Sequence, residues 1–329
     1  MKPIEASHLN IGAHSHVGEI RPNNEDLFAI AHFQAPTGER ITVGMVADGI
    51  GGHQAGEIAS ELTVKTVLDI FEGSDFSSPL QTLSKAIIQS GKVVHAIAQQ
   101  KQDKQGMGST LSLAAIADER LYIVNVGDSR IYLLRQDEFR QISVDHTWVQ
   151  EAVEHNIISK EEARGHPNAN VLQSYIGSTE LPKPDFRLLL HDDETQEESL
   201  NNQGLPLEPG DRILICSDGL SDLVEDDDIR KALQSNSPAN AARSLTSLAR
   251  SNGGTDNVTA VVLEFPFPKQ ERRLISRLGR IAGLTLMIII MIILMALTWW
   301  LGWWDVPSWI PLGGISLSGI RAVTHLYPL

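Results

Sequence analysis

Short apolar runs that finish in aspartate constrain this chain more than any other feature. Ile41-Thr-Val-Gly-Met-Val-Ala runs into Asp48-Gly49, and Arg212-Ile-Leu-Ile-Cys-Ser runs into Asp218-Gly219. Tyr122-Ile-Val-Asn-Val-Gly127 ends at Asp128, Asp256-Asn257 opens the last such run, and Asn24-Glu25-Asp26 precedes the first. One Asp-Gly pair only marks a turn. Six carboxylates at strand ends are a stronger pattern, because on a shared edge they stay ionised only with cations between them. Ligation by oxygen alone selects hard ions, so Mg²⁺ or Mn²⁺ is expected.

The β-type runs are Asp26 to Phe33, Ile41 to Ala47, Ser109 to Ala117, Leu121 to Val126, Ile131 to Arg135, Arg212 to Ser217 and Asn257 to Phe265. They are rich in Val, Ile and Leu and bounded by Gly, Asp and Asn. Helical patterns cover Ala55 to Phe71, Leu80 to Gln102, 146–155, 159–164 and 238–251, with Ser159 and Glu162 spaced as a capping box. The strands come in hairpin-like groups, such as 121–135 around Gly127-Asp128-Ser129, rather than alternating with helices. That pattern predicts antiparallel sheets covered by helices and excludes a doubly wound parallel sheet. The acidic stretch 192–198 reads as a solvated loop.

The net charge of −14 divides unevenly: residues 269–329 carry six Lys/Arg against two Asp/Glu, which leaves −18 on residues 1–268. Such a domain repels nucleic-acid backbones, so nucleic acid is excluded as a partner. Cys216 is the only cysteine, so no internal disulfide forms. From Ile281 to Trp304 no residue is charged. At ~1.5 Å per residue that run covers about 36 Å, enough for a ~30 Å hydrocarbon core. Trp299, Trp300, Trp303 and Trp304 cluster at one end, and five Lys/Arg lie between 269 and 280. The expectation is a single-pass helix at the cell (inner) membrane with the preceding domain cytoplasmic. The organisation predicted is a domain at 1–265, a basic juxtamembrane linker at 266–280, a transmembrane helix at 281–304 and a short tail at 305–329.

The motifs taken together are specific. Gly18-x-x-Arg21-x-x-Asn24-Glu25-Asp26, Ala47-Asp48-Gly49-Ile50-Gly51-Gly52-His53, Gly106-Met107-Gly108-Ser109-Thr110, Val126-Gly127-Asp128-Ser129-Arg130, Ser217-Asp218-Gly219-Leu220 and Asp256-Asn257-Val258-Thr259 follow one another in order. This series resembles that of the metal-dependent protein phosphatases of the 2C type, over about residues 10 to 265, and its Gly-Gly-His ending is closer to bacterial members. The resemblance implies an α+β fold, an α-β-β-α sandwich of two antiparallel sheets flanked by helices. It implies that Asp48 bridges two metal ions, that the Gly49 carbonyl binds one of them, and that Asp218 and Asp256 complete the other. Glu25 and Asp26 match positions that hold the second ion directly or through water. Asp128, with Asp218, matches a third, weaker position.

The function implied is hydrolysis of phosphoserine and phosphothreonine in proteins by a water activated between two Mn²⁺ or Mg²⁺ ions. Arg21 would clamp the phosphate oxygens. Animal members place a histidine directly after the Asp-Gly; Ile50 stands there, which leaves a metal-bound water or His53 as the general acid. His14 and His16 alternate as in a His-x-His metallohydrolase, but that motif needs an aspartate where Gly18 stands. A cognate Ser/Thr kinase is the partner that family and location suggest. The competing reading is a catalytically silent phosphoprotein-binding module on the same fold.

Overall fold

Alternation along the apolar runs decides how the layers stack. The computed structural model of the chain describes residues 1–4, 7–51, 55–100, 102–163, 165–267 and 289–298. In chain order its strands are Lys2–Pro3 (β1), Asn10–His16 (β2), Leu27–Gln34 (β3), Arg40–Ala47 (β4), Gly49–Ile50 (β5), Gly108–Ser109 (β6), Leu111–Ala117 (β7), Arg120–Val126 (β8), Arg130–Arg135 (β9), Glu138–Gln141 (β10), Leu205–Pro206 (β11), Arg212–Cys216 (β12) and Val258–Glu264 (β13). One antiparallel sheet runs β1-β3-β4-β7-β8-β11, a second runs β10-β9-β12-β13-β2, and β5 pairs with β6 alone.

The helices are Ala55–Glu72 (α1), Pro79–Gln100 (α2), Trp148–Glu154 (α3), Lys160–Ala163 (α4), Gln196–Asn201 (α5), Asp218–Ser221 (α6), Asp226–Ser235 (α7) and Pro238–Ser251 (α8). Ile41, Val43, Met45 and Ala47 of β4 join Val67 and Phe71 of α1 and Leu83 and Ile87 of α2 in one apolar cluster. Val46, one step out of phase, turns instead to Ile213, Ile215, Val261 and Leu263 between the sheets. On the far side, Leu214 and Cys216 of β12 and Val262 of β13 meet Leu233, Ala242 and Leu245 of α7 and α8. Three apolar clusters between four layers make the α-β-β-α sandwich, with Cys216 as a small core side chain. Gly44 lets the sheets close: a Cβ there would stand 3.0 Å from Leu263 Cδ1 and 3.3 Å from Ile215 Cδ1.

Two local expectations are corrected. Residues 121–135 are not a hairpin, because β8 belongs to the first sheet and β9 to the second, and the chain crosses between sheets at 127–129. Gly127 makes that crossing with φ +104, where a Cβ would lie 2.6 Å from Thr110 Cγ2. The acidic stretch 192–198 is not all loop either. Thr195 and Glu198 form a capping box that starts α5: the Glu198 carboxylate accepts from Thr195 N and the Thr195 hydroxyl from Glu198 N.

The chain divides into two units, Met1–Phe267 and Pro268–Leu329. In the second unit the expected transmembrane helix is corrected: among the described residues no helix is long and apolar enough to cross a membrane. Only 289–298 of the stretch 281–304 is described, and it is helical. At ~1.5 Å per residue those ten described residues cover about 15 Å. The remainder of 281–304, the linker and the tail lie outside the described residues. The inner-membrane location, the cytoplasmic assignment and the membrane as a partner rested on that span and are withdrawn with it.

Candidate active site

Antiparallel registry sets which strand ends share an edge. Leu27 pairs with Ala47, so Asp26 and Asp48 leave the first sheet at the same end, and Leu111 pairs with Val126, which brings Asp128 there as well. In the second sheet Cys216 pairs with Ala260 and with Arg130, while Val258 pairs with His16. Asp218, Asp256 and the Gly18–Arg21 loop therefore gather at the corresponding edge. The edges meet through Ser217, whose Oγ donates to Asp26 Oδ2 at 2.7 Å and accepts from Thr259 N at 3.0 Å.

Neutral groups frame the carboxylates. Asp48 N donates to Thr110 Oγ1 at 2.9 Å, and Thr110 Oγ1 in turn lies 2.8 Å from Ser129 Oγ. Asn257, only 4% exposed, ties three chain segments together. Its Oδ1 accepts from Glu25 N at 2.8 Å, and its Nδ2 donates to Val17 O at 2.8 Å and to Asn23 O at 2.9 Å. Gly18 permits the same closure: with φ +82, its missing Cβ would lie 2.1 Å from Asp256 O.

Burial and crowding shift these acids upward. Burial drives Asp26 up to about 7, with hydrogen bonds from Ser217 and Thr259 opposing it and the charges of Asp218 and Asp256 adding to it. Asp48 is raised well above the usual carboxylate range by burial first and then by Asp26, Asp218 and Asp128. Asp218 rises to about 6 through burial and the charges of Asp222 and Asp256, eased by a hydrogen bond from Asp48. Burial, Asp218 and Asp145 raise Asp128. Asp26 Oδ1 and Asp218 Oδ1 are buried with no hydrogen-bond partner. Unpartnered anionic oxygens, repelling one another in a dry pocket, fit a hard divalent cation better than any other group.

Other expected residues are placed differently. Arg21 lies at the rim, its guanidinium half exposed and 2.7 Å from Asp256 Oδ2. Glu25 turns to the first turn of α1, where it meets the Gly56 N–H, and burial raises its carboxyl despite the nearby charge of Arg21. Gly49 N donates to Glu25 O at 3.2 Å, and a Cβ on Gly49 would strike Gly56 O at 2.2 Å. His53 lies outside the described residues. Among the described residues no three His, Cys, Asp or Glu side chains are arranged so as to hold an ion. Asp26, Asp48, Asp128 and Asp218 are near enough to repel, while Asp256 is turned to Arg21 and Glu25 to α1. His14 and His16 are structural: His14 Nδ1 lies 2.7 Å from Thr246 Oγ1, and His16 Nδ1 accepts from Gly18 N at 3.0 Å.

One acidic residue beside the site, Asp222, escaped the sequence reading. Asp222, one helical turn after Asp218, presses its charge on both Asp218 and Asp128, and the four-residue spacing was the available signal. Asn170 Nδ2 reaches Asp222 Oδ2 at 3.3 Å and links the 146–190 segment to the site. That segment is fixed by His146 Nε2 against Asp185 Oδ2 at 3.2 Å and by Arg187, which bonds Asp185 and Glu154. Arg130 pairs with Asp145 at 2.8 Å beside the acidic group.

A family model described as Protein phosphatase 2C matches residues 13–251. The chain is 36% identical over 256 residues to the serine/threonine protein phosphatase PstP of Mycobacterium tuberculosis strain H37Rv, a match covering 78% of this chain and 45% of PstP, less than half of that longer relative. It is 33% identical over 252 residues to the serine/threonine phosphatase stp of Listeria monocytogenes strain EGD-e, covering 75% of this chain and 92% of stp. The solved catalytic domain of PstP in complex with two manganese ions superposes with a TM-score of 0.63 at 35% identity, covering 78% of this chain and 97% of that one.

Proposed function

The chain belongs to the protein phosphatase 2C family, and from that premise we propose that it hydrolyses phosphoserine and phosphothreonine monoesters in proteins with divalent metal ions bound at the sheet edge. The observation that carries this reading is the meeting of Asp26, Asp48 and Asp128 from one sheet with Asp218 from the other, with two buried carboxylate oxygens unpartnered. Asp48, the Gly49 carbonyl, Asp218, Asp256, Glu25 and Asp26 would hold two ions, and Asp128 with Asp218 a third. Mn²⁺ or Mg²⁺ suits such an oxygen set, and PstP itself is solved with manganese. When bound, such ions supply Lewis acidity, which makes water nucleophilic near neutral pH and offsets phosphoryl charge.

The chain's own residues do the rest. Arg21, half exposed and held by a single carboxylate, can turn its guanidinium to a phosphate at the rim. Burial and mutual repulsion favour the protonated forms of Asp48 and Asp218, so metal binding would be linked to proton release from them. Asn257 keeps the Arg21 loop and Glu25 in register with Asp256. The test is hydrolysis of p-nitrophenyl phosphate and a phosphothreonine peptide by the full chain with Mn²⁺, with chelator, and as Asp48→Asn. Turnover that survives chelation or the substitution would refute the reading.

A further inference from the structure

In a domain carrying −18 over residues 1–268, one face beside the site has the opposite sign. Neither α8, Pro238–Ser251, nor β2, Asn10–His16, contains an aspartate or glutamate. Arg243, Thr246 and Arg250 follow one another at three and four residues, so they lie on one side of α8. That side packs on β2: His14 Nδ1 is 2.7 Å from Thr246 Oγ1, and the charges of Arg243, His16 and Arg250 all bear on His14. The face also runs into the phosphate-binding loop. Arg250 Nε lies 2.7 Å from Glu19 Oε1, Glu19 N donates to Gly254 O at 2.7 Å, and Arg21 stands two residues further on. Arg243 is exposed and has no carboxylate partner among the described residues.

We propose that this face of α8 is a subsite for a second anionic group of the substrate, a carboxylate or phosphate borne a few residues from the phosphorylated one. The proposal rests on the phosphatase reading and adds to it a preference among phosphoproteins. Arg243 and Arg250 are separated by two helical turns, about 10.5 Å at ~1.5 Å per residue. An extended peptide advances about 3.4 Å per residue, so acidic side chains about three residues apart can meet both arginines. Guanidinium groups stay charged at any working pH and bind both oxyanion types in a forked geometry. Glu19 competes for Arg250, which makes Arg243 the open position and Glu19 a brake on the subsite.

The experiment compares kcat/KM of the full chain, with Mn²⁺, on phosphoserine peptides in a neutral background. Glutamate, or a second phosphoserine, is placed at successive positions on either side. The anionic peptides should be favoured about two- to five-fold at low salt, as exposed ion pairs allow, with the preference decaying in about 0.5 M salt. Arg243→Gln with Arg250→Gln should bring the ratio to one, and Glu19→Gln should raise it. Arg243→Gln alone, at an exposed position beside the buried Thr246, should lower the ratio and keeps the test open if the double variant does not fold. A phosphate-only preference would assign the site to phosphate, and a glutamate preference to acidic peptides in general. p-Nitrophenyl phosphate has no second anion: if the wild type fails to turn it over, the phosphatase reading falls. Turnover of that ester with a wild-type ratio of one, or a ratio untouched by the arginine substitutions, overturns the subsite alone.

Discussion

Replacing Asn257 separates the framework of the site from its charge. The Asn257 side chain makes three hydrogen bonds, at 2.8, 2.8 and 2.9 Å, and is 4% exposed. Asn257→Ala removes all three and strands the Glu25 N–H and the Val17 and Asn23 carbonyls. At about 1 kcal/mol per bond the loss is about 3 kcal/mol. For a domain of this size that lowers Tm by about 6 °C. Asn257→Asp keeps the shape and can still accept from Glu25 N, yet it points an anionic oxygen at two carbonyls and adds charge near Asp26, Asp218 and Asp256. The isosteric change should therefore be at least as damaging as the truncation. Thermal unfolding followed by circular dichroism, in chelator and in Mn²⁺, reads the stability. The Mn²⁺-dependent kcat/KM on p-nitrophenyl phosphate, expected to fall about tenfold or more as the Arg21 loop loosens, reads the site. An aspartate variant melting within about 2 °C of wild type, or clearly above the alanine variant, would refute the account of Asn257 as a donor pinned between two carbonyls.

The raised acids give stability a definite pH dependence. With Asp26 at about 7, Asp218 at about 6 and Asp48 and Asp128 raised too, the folded state holds protons that an unfolded chain gives up near pH ~3.9. Their contribution is complete below that pH and is lost as pH rises through 6 to 7, so in chelator Tm should be higher at pH 5 than at pH 8, and Mn²⁺ should restore it at pH 8. A flat or rising profile from pH 5 to pH 8 in chelator would contradict the burial of these groups. Asp48→Asn, whose amide can still donate to Asp218, should raise Tm in chelator at pH 8 while abolishing metal-dependent turnover; a lower Tm would show that Asp48 supports the fold. Gly91→Ala should destabilise, although alanine is the better helix former by about 1 kcal/mol. A Cβ at position 91 meets Pro182 Cδ at 2.6 Å, so overpacking of about 1–3 kcal/mol outweighs propensity, and a melting curve shifted upward would show that the 175–182 segment yields instead.

Much of the sandwich was legible because alternation speaks directly to burial. β4, β7, β8, β12 and β13 and the helices α1, α2 and α8 fall close to their expected ranges. What stayed hidden depends on partners far away in sequence. Asn10–His16 has few large apolar side chains and is a strand because its backbone pairs with β13 along seven residues. The crossing at 127–129 looks like any hairpin turn until β8 and β9 are assigned to different sheets. Residues 289–298, which are helical, belong to an apolar run long enough to invite a membrane reading, yet among the described residues no helix reaches the length a span needs. At the site, carboxylates were visible as residue types at strand ends. The Arg21–Asp256 pair and the turn of Glu25 toward Gly56 were not, since each is a contact between loops that only the fold brings together.

The distribution of charge leaves the acidic edge unbalanced by the chain's own groups. Most of the groups that fix the acidic edge are neutral: the hydroxyls of Thr110, Ser129 and Ser217, the Thr259 N–H and the amide of Asn257. The cations nearby are committed elsewhere, Arg130 to Asp145 and Arg21 to Asp256. A protein could have placed a lysine or arginine among Asp26, Asp48 and Asp218, at the cost of desolvating a further charge. This one leaves two carboxylate oxygens buried without a partner, and the apolar clusters on either side of the two sheets offset the strain that results. Such local frustration is characteristic of functional sites, and the proposed divalent ions would deliver the most positive charge into the least space. Rigidity follows from the same design. Hydroxyls and an amide hold the frame: Asp48 N donates to Thr110 Oγ1 and Glu25 N to Asn257 Oδ1, bonds that use none of the crowded carboxylate oxygens.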